Sequence, residues 1–212
     1  MLGDLSAQYE SNGDCGCISD CPQDPGGKSY GTYQFSSNAG SLQQFVNWCQ
    51  RQGYDFAAQL ANEDLCSDAF DSAWKQIATN ETDAFTQAQH DYIKTAYYDP
   101  SIDTLAGLGY HIENHHAVMQ DVVWSRAVQY GTGNIGDMFT EAVNKMFNSA
   151  SGDNSGYPNL SYVDSQEYDY DFITSIYLNV CSSTEWNNSA LRDSLNDRFA
   201  SECHEALTQL GG

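Results

Sequence analysis

Residues 12–40 read NGDCGCISDCPQDPGGKSYGTYQFSSNAG, a stretch unlike the rest of the chain. It holds six glycines, two prolines and three cysteines. That composition favours turns over regular helix, because glycine frees the backbone and proline removes a hydrogen-bond donor. Near its end, Ser29-Tyr30-Gly31-Thr32-Tyr33-Gln34-Phe35 is extended in character around a central glycine and predicts a short hairpin.

On both sides of this lobe the pattern is helical. Leu2, Leu5 and Tyr9 recur at helical spacing, which predicts a short helix over 2–10 that ends at Ser11-Asn12-Gly13. Glu10 then lies in its last turn, facing the glycine-rich segment. After the lobe, Ser41 is placed to cap a helix with Gln44 in the reciprocal position, and Leu42, Phe45, Val46 and Cys49 form its apolar stripe. Further helices are expected over 67–79, over 83–97 up to a stop at Asp99-Pro100, over about 110–130 as the most buried helix, and over 136–147, 165–180 and 189–208. The Ser/Gly/Asn/Asp-rich residues 148–161 predict a loop. The expected architecture is mainly α (α+β): one domain, 1–212, with a small N-terminal hairpin lobe over 12–40 and a helical body over 41–212.

The chain has 212 residues and a formal net charge of -21, with only eight Lys and Arg. Such a field repels phosphate backbones and anionic bilayers, so neither nucleic acid nor membrane is an expected partner. No run of eighteen apolar residues is present, and the N-terminus lacks the basic start of a secretory signal. Seven cysteines leave the redox compartment open.

Chemistry is expected in the first forty residues. A carboxylate between a helix end and a glycine-rich lobe, as at Glu10, is placed to be partly desolvated and to serve as a general acid, although a solvated helix-end carboxylate is the plain alternative. Asp14, Asp20 and Asp24 offer a second carboxylate, and cleavage of a glycosidic bond uses such a pair. Cys15, Cys17 and Cys21 are open to two readings, a zinc clip or disulfides to Cys49 or Cys66; no cofactor is otherwise expected. His111, His115 and His116, at the start of the 110–130 segment, read as capping or core residues. Cys49 or Cys203 with His90 or His204 would supply the types for thiol catalysis without any local signature for it.

Taken together, Leu5-Ser6-Ala7-Gln8-Tyr9-Glu10-Ser11-Asn12-Gly13 and Asp24-Pro25-Gly26-Gly27-Lys28-Ser29-Tyr30-Gly31-Thr32-Tyr33-Gln34-Phe35-Ser36-Ser37 resemble the lysozyme-like peptidoglycan-hydrolase domains of bacteriophage lysis and tail proteins and of secretion-spike proteins. The likeness continues through Gln89-His90-Asp91-Tyr92, Tyr97-Tyr98-Asp99-Pro100, Val123-Trp124-Ser125-Arg126-Ala127-Val128-Gln129-Tyr130-Gly131 and Asp197-Arg198-Phe199 with Glu202. The resemblance implies a glycoside hydrolase acting on cell-wall glycan, with Glu10 as general acid; Asp24 is taken as the second carboxylate for its proximity to the hairpin motif, with Asp20 and Asp14 behind it. It implies substrate-positioning roles for Ser29, Tyr30, Tyr33 and Gln34, and for Tyr98, Ser125 and Gln129. Its partner would be the bacterial wall, met as a monomer after release by lysis, virion delivery or another route. The cysteines between Gly13 and Asp24 depart from that pattern. A chitosanase, a lytic transglycosylase and a non-catalytic glycan-binding module stand as alternatives.

Overall fold

A computed structural model describes residues 2–3, 13–20, 26–148, 159–187 and 192–211. The proposed helix over 2–10, apart from Leu2 and Gly3, lies outside the described residues, and so do Glu10, Cys21 and Asp24. The chain divides into two compact units, Ala7–Lys94 and Met1–Ser6 with Thr95–Gly212. The mainly helical fold with a small N-terminal three-stranded lobe is as expected.

In Ala7–Lys94, strands β1 (Ile18–Ser19), β2 (Ser29–Tyr30) and β3 (Phe35–Ser36) form an antiparallel sheet in sequence order. Ser29 pairs with Ser36 and Tyr30 with Phe35. Four helices follow: α1 (Ser41–Gln52), α2 (Ala57–Ala61), α3 (Asp68–Asn80) and α4 (Thr82–Ile93). The predicted stripe of α1 is buried as a unit, and Phe45 is stacked on Phe35 at 4.6 Å. Ser41 does not cap α1. Its hydroxyl accepts from the Ser36 N–H at 2.8 Å, tying β3 to the helix, while Gly40 enters the helix in a left-handed conformation. Ser67 caps α3 through the Phe70 N–H at 3.1 Å, so that Phe70, Trp74 and Ile77 face the core.

In the other unit, α5 (Asp99–Gly107), α6 (Ala117–Tyr130), α7 (Ile135–Asn148), α8 (Asp169–Ser182) and α9 (Arg192–Gly211) pack together. Asp99-Pro100 opens α5 instead of ending a helix: α4 passes into a π turn at Lys94–Tyr98, and proline is tolerated in the first turn of α5, where no intrahelical donor is needed. The α6 helix carries the buried run Val122 to Ala127, as its polar-poor sequence suggests. It starts seven residues later than expected from Tyr110.

The late start has a tertiary cause. Asp164 accepts from the His111 N–H at 2.7 Å, and Asp169 accepts from the His116 N–H at 2.8 Å. Asp169 thus takes the His116 N–H that a helix begun at Tyr110 would give to the Ile112 carbonyl, and Asp164 fixes the preceding turn through the His111 N–H. The histidine rings join them: His111 Nδ1 lies 2.8 Å from Asp164, His116 Nδ1 2.7 Å from Asp169, and buried His115 lies between Asp169 at 2.6 Å and Asp164 at 3.3 Å. Tyr110 stacks on the His115 ring at 4.1 Å. His115 has the core role expected of these histidines; His111 and His116 stand at N-cap positions but neither ring caps a helix, and all three lie in the turn before α6.

This cluster sets a pH window. Burial raises the Asp164 and Asp169 carboxyls, but hydrogen bonds from the histidines and their backbones outweigh it and hold both below the ordinary 3.8. Their contribution is present above that value and is lost as pH falls through the lowered one. Asp164 raises His111 above 6.5, and that smaller contribution from an exposed ring is present below 6.5 and lost as pH rises through the raised value. Thermal unfolding should therefore show a plateau between these limits and a steep acid limb. Asp169→Asn should cost about 1–3 kcal/mol at neutral pH and flatten that limb; an acid limb unchanged by the substitution would contradict the assignment.

Among the described residues no helix is long and apolar enough to cross a membrane.

Candidate functional site

The hairpin turn between β2 and β3 is a tightly constrained stretch of backbone. Gly31 has φ +74, and a Cβ there would lie 2.4 Å from Gln89 Oε1 and 3.0 Å from Trp74 Cζ2. Only glycine fits both the conformation and the space. Gln89, fully buried on α4, accepts from the Thr32 N–H at 2.8 Å and donates to the Cys15 carbonyl at 3.0 Å. The Trp74 indole N–H donates to the same carbonyl at 3.0 Å. One glutamine side chain therefore links the segment before β1 to the turn after β2, which residue spacing alone does not reveal.

Gln34 sits at φ +50, an uncommon conformation for a residue with a Cβ. Its side chain donates to the Gly31 carbonyl at 2.9 Å and approaches Cys17 Sγ at 3.7 Å. Of the four hairpin residues singled out by sequence, only Gln34 is not buried. Tyr30 is fully buried between Phe70 and Trp74, and its hydroxyl donates to Asp71 at 2.6 Å. The Lys28 ammonium reaches the other Asp71 oxygen at 2.8 Å. Burial raises the Asp71 carboxyl, yet the Lys28 and Tyr30 hydrogen bonds carry it below its ordinary value, while burial and the same carboxylate drive the Tyr30 phenol far up. Tyr30 therefore remains a neutral donor that anchors β2. Ser29 and Tyr33 are buried beside it.

The remaining sequence-selected residues belong to the other unit. Tyr98, at the end of the π turn, packs against Trp124 at 5.5 Å, and burial pushes its hydroxyl up to about 12. Ser125 is fully buried and donates to Glu202 at 2.9 Å. Gln129 is half-buried near the end of α6. Beside Ser125 stands a charge that sequence reading passed over: Arg126, fully buried, pairs with fully buried Glu202 and lies over the rings of Phe199 at 4.5 Å and Tyr177 at 4.9 Å. Arg198 adds a second bond to Glu202 at 2.7 Å.

The six described cysteines, including Cys15 and Cys17, are unpaired thiols. Pairs from Cys15 or Cys17 to Cys49 or Cys66 are therefore not formed. The hydrophobic pocket around Cys49 raises its thiol to about 12, which fits a core residue and not a nucleophile. Among the described residues no cluster of three or more His, Cys, Asp or Glu is arranged to hold a metal, so the zinc reading of Cys15, Cys17 and Cys21 gains no support from them.

A family model for the C-terminal region of type VI secretion system spike proteins of the VgrG3-like kind matches residues 2–202. The mainly helical fold with its small three-stranded lobe and that match place the chain, by class, among the C-terminal domains of secretion-spike proteins. The chain belongs to the VgrG3-like C-terminal family. It is 34% identical over 154 residues to the type VI secretion system spike protein VgrG3 of Vibrio cholerae, an overlap of 72% of this chain and 14% of that protein. The chain thus corresponds to a small part of that relative's length. The resemblance to secretion-spike hydrolase domains read from Glu10 and the hairpin motif is borne out.

Proposed function

We propose that this chain cleaves the glycan backbone of bacterial peptidoglycan as one catalytic domain, built of the hairpin lobe over 12–40 and the helical body over 41–212. Glu10 protonates the leaving glycosidic oxygen, and Asp24 activates water or stabilises the positive sugar ring. The observation that carries the reading is the Gly31–Gln34 turn within the family match. Its backbone is held by buried Gln89 and Trp74, and it presents Gln34 in a strained conformation of the kind that collects at ligand sites. Gln34 contacts the glycan in this scheme. Ser29, Tyr30 and Tyr33 hold the turn in shape, and Tyr98, Ser125 and Gln129 keep the substrate-positioning roles that the family resemblance implies. The domain acts as a monomer, is carried to the wall by a secretion spike, and requires no cofactor.

The deciding experiment is mass spectrometry of products from purified sacculi, with chitosan digested in parallel because a chain of net charge -21 attracts a cationic amino-sugar polymer. Muropeptides with new reducing ends are expected from sacculi. Products cut only within the peptide stems, or cleavage confined to chitosan, would overturn the proposal; anhydro ends would replace hydrolysis by transglycosylation.

A further inference from the structure

A cavity of about 530 Å³ opens between the C-terminal part of α7 and α8, formed by residues that carry none of the roles proposed above. Its wall includes Lys145 and Phe147 from α7 and Asp171, Thr174, Leu178 and Ser182 from α8. The α8 residues recur at three- and four-residue spacing, so they make one outward stripe. Leu178 is 58% exposed. Behind the wall residue Phe147 stand two tyrosines: its ring meets Tyr162 edge-on at 5.2 Å and Tyr168 at 6.4 Å, and Tyr162 lies 5.9 Å from Tyr168. Tyr162 leaves 54% of its surface in water. The Lys145 ammonium is held in place by Ser182 Oγ and by Asn179 Oδ1 at 3.4 Å, and Asn179 is itself fixed by donating to Glu141 at 3.0 Å.

Exposed aromatic and aliphatic faces next to ordered hydroxyl, ammonium and carboxylate groups match a pyranose ring, whose C–H faces pack on apolar surface while its rim makes hydrogen bonds. The volume falls in the range of small-ligand sites. One ammonium and one carboxylate leave the cavity close to neutral on a strongly anionic chain, so net charge does not select the ligand. We infer that this surface is an accessory binding site for neutral sugar units, which keeps the enzyme on its insoluble polymer. The naming of the polymer as wall glycan rests on the proposed function; the sugar-binding chemistry does not.

The test is co-sedimentation of the full chain with purified sacculi on ice, together with ligand-observed NMR using an N-acetylglucosamine tetramer, neither of which needs cleavage. Tyr162→Ala should raise the concentration for half-maximal binding about tenfold, Tyr162→Trp should stay within about twofold, and urea unfolding midpoints should match the parent. Binding by Tyr162→Ala equal to the parent's in both assays, or no binding by the parent, would overturn the inference. If the parent fails to cut glycan yet Tyr162→Ala weakens binding, the accessory site stands and the proposed function falls.

Discussion

Glu10→Gln should abolish the clearing of purified cell walls while leaving wall binding and the unfolding midpoint where they are. Glutamine keeps the size and one oxygen of the carboxyl group but has no proton to give at the pH where the acid works. Loss of a positioned general acid removes about 10²–10⁴ in rate, and departure of an alkoxide from a glycosidic bond gives no easy alternative route. The substitution takes away one side-chain proton and no apolar contact, so stability should change little. The pH profile supplies a second reading: the alkaline limb of the native rate should report the acid and be missing from any residual activity of the variant. Native-rate clearing by Glu10→Gln would remove Glu10 from the mechanism, and a parallel fall in binding would show a role in holding substrate.

Glu202→Leu should be among the most destabilising single changes in the unit formed by Met1–Ser6 and Thr95–Gly212, by about 3–5 kcal/mol. Glu202 receives bonds from Ser125, Arg126, Arg198 and Tyr177, all converging on one fully buried carboxylate. Its removal strands the Arg126 guanidinium, whose Nε and Nη1 already have no hydrogen-bond partner among the described residues. The rings of Phe199, Tyr177 and Tyr130 soften that burial through their π faces without replacing the carboxylate. Arg126→Met should cost less, since Glu202 keeps Arg198, Ser125 and Tyr177. The double variant should recover much of the loss, as a buried ion pair replaced by apolar groups of similar volume often does. Urea unfolding of the four proteins closes the cycle; a Glu202→Leu midpoint equal to the parent's, or additive losses in the double variant, would show that the pair is not coupled as its geometry implies.

Much of the fold was legible because helices announce themselves locally. The stripe Leu42, Phe45, Val46 and Cys49 and the set Phe70, Trp74 and Ile77 each bury as one face, and Ser67 needs only its own neighbour three residues on to cap α3. The lobe was legible for the opposite reason, since glycine and proline between 12 and 40 exclude helix, and Gly31 marks a turn no other residue enters without strain. The family was legible as a resemblance of the Glu10 segment and the hairpin segment, linear motifs that need no coordinates.

What escaped the sequence involves partners distant along the chain. The start of α6 is decided by Asp164 and Asp169, about fifty residues away, because a carboxylate that accepts a backbone N–H outbids a local propensity worth a few tenths of a kcal/mol per residue. Ser41 has the sequence of a cap and spends its hydroxyl on Ser36, because β3 brings an unpaired donor closer than the helix does. Tyr30 has the look of a sugar-stacking ring and is a buried anchor, since Asp71 and Lys28 give its hydroxyl a polar end inside an aromatic core. Arg126 and Glu202 are 76 residues apart, and nothing in the local sequence of either marks them as a buried pair. Local periodicity and backbone sterics are short-range and were therefore written in the sequence; desolvation and the pairing of buried polar groups depend on which segments the fold brings together, and only the tertiary structure decided them.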